Sequence, residues 1–216
     1  EDHLGNRGHL RNGDVQWMCA GRGIIHSEMP QQESGAMRGF QLWLNLPARE
    51  KMCEPGYRDI AAADIPVVEF DGGRVKVIAG ELIADEDTVD GAITGRTVRP
   101  LYLDVHLEPR AEFNQPVPAA LNAALYVHEG DLTLLGDDGE HRLPRSAAAV
   151  LSQGDSMTVQ AGNEGARFLV LAARPIGEPV VQYGPFVMNT RAEIEQAIAD
   201  YQSGVLASSG VRAGRL

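Results

Sequence analysis

The chain of 216 residues can fill one large domain or two of roughly 100 residues each. Its 44% hydrophobic and 23% charged content is ordinary for a globular protein, and 24 Gly with 12 Pro, scattered along it, favour many turns over long helices. A net charge of −11 with no Lys/Arg run beyond two residues argues against direct nucleic-acid binding, and no apolar run of about 18 residues suggests a membrane span.

In chain order, Glu1-Asp2-His3 passes straight into a turn-like Leu4-Gly5-Asn6, with no charged-then-apolar leader. That reads as the middle of a longer protein, truncated before Glu1. Residues 13–28, GDVQWMCAGRGIIHSE, open on a Gly-Asp turn, run through an apolar strand, turn at Gly21-Arg22-Gly23 and continue as a strand through His26 to Glu28. From Gly39 to Leu46 the pattern alternates, with Phe40, Leu42, Leu44 and Leu46 on one face and Gln41, Trp43 and Asn45 on the other. Period two predicts a half-buried strand, stopped by Pro47. Val67–Phe70, an Asp71-Gly72-Gly73 turn and Val75–Ala79 predict a hairpin.

The polar stretch 84–97 reads as a loop between two halves. Short strands then resume at 101–107, 123–129, 132–135, 148–151, 156–160 and 167–172, with turns at Glu129-Gly130-Asp131 and Asp137-Asp138-Gly139. Thr190 with Glu193 forms a capping box, and Ile194, Ala197, Ile198 and Tyr201 give one apolar face of a helix ending at Ser203-Gly204. The Ser/Gly-rich tail 205–216 reads as flexible. Gly13-Asp14 and Gly154-Asp155 each open a strand leading to a second glycine (Gly21, Gly162), a weak sign of two copies of one β-unit.

Closely spaced short strands predict an all-β sandwich or barrel. Cys19 and Cys53 lack CxxC spacing, so neither a disulfide framework nor a zinc site is expected. Each reads as a small core residue in a reducing, cytoplasmic setting.

His26 and Glu28 stand at i and i+2 and therefore aim to the same side of a strand. An imidazole beside a carboxylate suits a divalent transition metal. His128 and Glu129 are adjacent, point to opposite faces and cannot act as a pair. His106 and His141 read as surface or internally satisfied residues. Trp17, Met18, Trp43 and Met188 read as core, and Gln41 and Asn45 as solvated or lumen-facing. There is no Ser-His-Asp arrangement and no phosphate-binding GxxxxGK.

Gly21-Arg22-Gly23-Ile24-Ile25-His26 resembles the second cupin motif, PxGxxH, with Gly21 at the proline position. The longer string GDVQWMCAGRGIIHSEMP, together with GFQLWLNLP, EKMCEPGY, VIAGE, LYLDV and EPVVQYGPFVMNTRAEIEQAI, resembles the pirin family in the same order, over residues 2–204. The resemblance implies an all-β bicupin of two β-barrels (double-stranded β-helices) with a C-terminal helix. Residues 1–95 would belong to a metal-binding first barrel, incomplete here, and 96–204 to a metal-free second barrel.

It further implies one metal, usually Fe2+ with other divalent transition metals possible, bound by three His and one Glu. His26 and Glu28 match two of those ligands, with Glu28 also placed to act as a catalytic base. The other two belong to a His-x-His motif that this chain lacks, so weak or absent metal is expected here. The activity implied for the intact protein is that of an iron-dependent dioxygenase of flavonols such as quercetin, with this fragment expected to be inactive by itself. The implied alternative is a redox- or metal-sensing regulator that binds transcription factors or metabolic enzymes, without direct nucleic-acid or membrane contact.

Overall fold

In the computed structural model, which describes residues 1–3, 5–31, 33–84, 87–95, 97–206 and 214–215, alternating apolar positions form sheet wherever a second strand lies alongside. The chain divides into two compact units, Glu1–Ile60 with Ile176–Leu216, and Ala61–Pro175. In the first, the Gly13-Asp14 turn leads into β1 (Val15–Cys19). A single helical turn, α1 (Ala48–Lys51), precedes β2 (Gly56–Ile60). Strands β1 and β2 pair antiparallel, Val15 opposite Ile60 and Cys19 opposite Gly56.

The strand expected over Gly39–Leu46 is absent, and Phe40, Leu42 and Trp43 are 52%, 46% and 61% exposed. Period two tells which side chains share a face, but a strand also needs a partner for its N–H and C=O groups. No described strand offers this segment one. It is held instead at Asn45, whose Oδ1 accepts a 2.7 Å hydrogen bond from Lys51 Nζ. That ammonium also donates to the Val187 carbonyl at 3.2 Å. Burial pushes the Lys51 pKa down, against the opposing pull of Glu178 and Glu193.

The second unit begins with the expected hairpin, β3 (Val67–Phe70) and β4 (Gly73–Ala79). Next comes a hairpin, β5 (Glu81–Ala84) with β6 (Asp87–Asp90), whose second strand lies within the stretch 84–97 read as a loop. Only Leu82 opposite Val89 pairs two large apolar residues, which is too little to show as alternation across the hairpin. The remaining strands are β7 (Leu101–Leu107), β8 (Glu112–Pro116), β9 (Asn122–Gly136), β10 (Gly139–Leu143), β11 (Ala148–Val150) and β12 (Ser156–Ala173). Their order in the sheet is β10-β9-β12-β7-β4-β3, with β11 paired to β9 and β8 to β12.

Two breaks expected in this unit are bends within continuous strands. Strand β9 runs through Glu129-Gly130-Asp131, and β12 runs through 161–166 with a register shift between Ala161 and Ala166. Gly130 (φ +67°) and Gly165 (φ +79°) meet there, and a Cβ on Gly130 would fall 2.0 Å from the Gly165 carbonyl oxygen. The glycines serve as a bulge that lets both strands curve, rather than as strand ends. Val75, Val77, Leu103, Val105, Leu125, Val127, Val159, Phe168 and Val170 fill the core, with Phe113 and Phe168 edge to face at 6.3 Å.

The chain returns to the first unit with β13 (Val181–Tyr183) and β14 (Phe186–Met188), a short hairpin, and then α2 (Arg191–Gln202). The capping box is formed as the spacing requires. Thr190 Oγ1 accepts from the Glu193 N–H, and the Glu193 carboxylate accepts from the Thr190 N–H at 2.7 Å. Ile194 is buried, whereas Tyr201 at the far end of the face is 54% exposed and stacks edge to face with Phe186. Most of the tail expected to be flexible lies outside the described residues. Its β15 (Gly214–Arg215) runs parallel to β2. Among the described residues no helix is long and apolar enough to cross a membrane.

On the face of β7 opposite the core, Asp104 lies between two histidines, with Oδ1 at 3.5 Å from His106 Nε2 and 3.7 Å from His128 Nε2. Arg74 approaches Nδ1 of His106 at 3.2–3.3 Å. Because a guanidinium only donates, Nδ1 is the acceptor there and Nε2 is the nitrogen that faces Asp104. Burial raises the Asp104 pKa, but the attraction of His106, His128 and Lys76 together outweighs it and holds the carboxyl below its usual range. Burial lowers the His128 pKa, opposed in part by Asp104.

Two outcomes are expected. Phe168→Ala should lower unfolding stability by about 3–5 kcal/mol, read as a drop in the urea midpoint. Acidification should also destabilise the fold, since the neutral form of His128 and the ionised form of Asp104 are the native ones. The His128 contribution is present above its unfolded pKa of about 6.5 and fades as pH falls below it, whereas that of Asp104 is lost only through its folded pKa, lower still. Thermal melts of His128→Gln should accordingly show a flatter decline as pH falls below about 6.5.

Candidate functional site

The candidate metal ligands follow a turn that the fold anchors tightly. The Arg22 N–H donates to the Cys53 carbonyl at 2.9 Å, the Gly23 N–H to Ala20 at 2.9 Å, and the Arg22 guanidinium pairs with Glu54. Gly21 takes a positive φ of +51°, and a Cβ there would lie 2.2 Å from the Cys53 carbonyl oxygen, so the position admits only glycine. Ile24–Glu28 then runs alongside the start of the chain. The His3 N–H donates to the Ile25 carbonyl at 2.8 Å, the Ser27 N–H donates to the Glu1 carbonyl at 2.8 Å, and a single antiparallel bridge joins Asp2 to His26.

This is one bridge rather than the full strand expected over Ile24–Glu28, because residues 1–3 offer only a few paired groups. His26 and Glu28 are both exposed. His3 has its Nδ1 engaged by the Ile25 N–H at 3.1 Å.

The donors fit a transition metal in kind, one borderline imidazole and one hard carboxylate, but not in number. Among the described residues no group of three or more His, Cys, Asp or Glu is arranged to hold a metal ion.

The other polar candidates are spoken for elsewhere. His106 and His128, isolated in sequence, flank Asp104. His141 Nε2 lies 3.0 Å from Asp138 Oδ1 on the β9–β10 turn. Asn45 holds Lys51, Gln41 is exposed, and Trp43 is the most exposed of the aromatic candidates. Trp17, Met18 and Met188 are half-buried.

Sequence reasoning missed two clusters. One is the Asp104 group, whose signal was the alternation of Asp104 and His106 with buried Leu103 and Val105 along β7. The other is the approach of Cys19 to Cys53, which no spacing rule shows. An open cleft of about 670 Å³ in the second unit is lined by four carboxylates (Glu69, Glu108, Glu129, Glu164), by Arg74, Arg167 and His106, and by little apolar surface. That lining is unlike the largely apolar walls of small aromatic-ligand sites.

Comparison with known proteins agrees with this architecture. Residues 1–44 match the family model described as Pirin, and residues 102–207 the one described as Pirin C-terminal cupin domain. A protein of Pseudomonas aeruginosa, provisionally named as a quercetin 2,3-dioxygenase, is 49% identical over 209 residues, covering 96% of this chain and 72% of that protein. Human Pirin is 42% identical over 204 residues, covering 94% and 68%. The crystal structure of quercetin 2,3-dioxygenase from Acinetobacter baumannii superposes with a TM-score of 0.83 at 35% identity, over 95% of this chain and 71% of that one. The fold is therefore all-β and of the cupin type, and this chain belongs to the pirin family.

Proposed function

We propose that this protein is a metal-dependent dioxygenase acting on flavonols such as quercetin, with His26 and Glu28 among the ligands of one divalent metal, Fe2+ foremost. The observation that carries the reading is the pairing of an imidazole and a carboxylate at i and i+2, immediately after a turn fixed by Cys53, Glu54 and an obligatory glycine. The names borne by the Pseudomonas and Acinetobacter relatives point to the same chemistry. Under this reading residues 1–95 belong to the metal-binding half and 96–204 to a metal-free half.

The metal, when bound, supplies Lewis acidity toward neighbouring substrate oxygens and redox chemistry toward dioxygen. The chain's own residues do the rest. His26 offers a neutral nitrogen donor from an extended segment whose backbone is pinned at Ile25 and Ser27. Glu28, two residues on, would supply an oxygen donor and a base for a substrate hydroxyl proton. Both side chains are exposed, so a planar aromatic substrate meets no wall at this point. Two donors alone hold a metal weakly, and the chain has no His-x-His pair to add to them.

Anaerobic loading with Fe2+ followed by elemental analysis tests the ligands. His26→Ala and Glu28→Gln should each reduce retained iron by at least about tenfold. Iron retained by the unsubstituted chain and undiminished in both variants would overturn the assignment. Quercetin consumption by the iron-loaded protein tests the reaction, and Glu28→Gln should cost about 100-fold or more in kcat if Glu28 takes the proton. Binding of a partner protein unaffected by either substitution, without turnover, would favour the regulator instead.

A further inference from the structure

The sulfurs of Cys19 and Cys53, 34 residues apart in sequence, lie 3.6 Å from each other. They are both cysteines of the chain, and both are free. Neither position is loosely held. Cys19 ends β1 within its ladder, opposite Gly56. Cys53 follows α1, its N–H donating to the Glu50 carbonyl at 3.1 Å and its carbonyl accepting from the Arg22 N–H. A disulfide requires a sulfur separation of about 2.05 Å, so the two sulfurs have only about 1.5 Å further to approach. Cys53 is exposed and Cys19 partly so, which leaves the pair open to a small oxidant.

We propose that Cys19 and Cys53 form a redox-active dithiol that a hydroperoxide converts into an intramolecular disulfide. Cys19 sulfur attacks the peroxide, forming a sulfenic acid and releasing one water (one alcohol from an organic hydroperoxide). The Cys53 sulfur then displaces the sulfenic oxygen, which leaves with the Cys53 proton as a second water. Two thiols are oxidised, one peroxide is reduced, and a low-molecular-weight thiol reverses the change. The order follows from the environment. Burial, followed by the hydrogen bond to Cys19, pushes the Cys53 thiol up to about 11, so Cys53 keeps its proton at neutral pH and enters second.

The bond would join the end of β1 to the residue whose carbonyl anchors the Gly21–Gly23 turn, stiffening the base from which His26 and Glu28 project. The dithiol itself does not depend on the metal reading.

The test uses the reduced, metal-free full chain, treated with hydrogen peroxide and analysed by intact mass and maleimide labelling. The expected result is a loss of two hydrogens per chain, a fall from two labelled thiols to none, a proteolytic peptide pair linked through Cys19 and Cys53, and full recovery with reduced glutathione. Cys19→Ser and Cys53→Ser should each abolish the linkage. The proposal is overturned if both thiols remain open to labelling, if either sulfur gains oxygen without cross-linking, or if the only disulfides formed join separate chains.

Discussion

Strand β12 finds a backbone partner on both edges, β9 along one and β7 with β8 along the other, and the second unit depends on that double pairing. A strand of eighteen residues paired on both sides would be flat and stiff unless it could bend. The bend is supplied where Gly130 and Gly165 approach so closely that no side chain fits between them. Curvature at that point lets Phe168 and Val170 face Leu125 and Val127 on one side of the bend and Val159 face the core on the other. The core is thus a consequence of a backbone constraint, and its aliphatic side chains fill the space that the bend encloses.

The same device sets the candidate site. Gly21 brings its backbone against the carbonyl of Cys53, the Arg22 amide closes the contact, and the Arg22–Glu54 ion pair holds it from the outside. One short turn therefore couples the ends of β1, α1 and β2 to the segment bearing His26 and Glu28. It also explains why the two thiols meet, since the carbonyl that anchors the turn belongs to one of them and the strand entering the turn ends on the other.

Charge is placed with comparable economy. The acidic balance of the chain is exposed for the most part, yet Asp104 is taken into the outer face of β7 and kept ionised by histidines from β7 itself and from β9. Partial burial makes these contacts matter more than the same groups would in water, because the weaker screening strengthens both attraction and the penalty for a wrong protonation state.

The sequence by itself determined what local rules govern. The all-β class, the β3–β4 hairpin, the exact bounds of β7 and the capping box of α2 were legible because alternation, turn glycines and i, i+3 spacing act over a few residues. The family was legible too, from long strings that few folds share. What the tertiary structure decided were the matters of partnership. Among the described residues Gly39–Leu46 has the alternation of a strand without a ladder to join, Gly130 and Gly165 curve strands where breaks were expected, and Leu82 with Val89 pairs a hairpin that runs into a polar stretch. Asp104 with His106 and His128, and Cys19 with Cys53, meet only because distant segments are brought together. Hydrogen-bond partners and burial are properties of pairs far apart in the chain, and no local pattern encodes them.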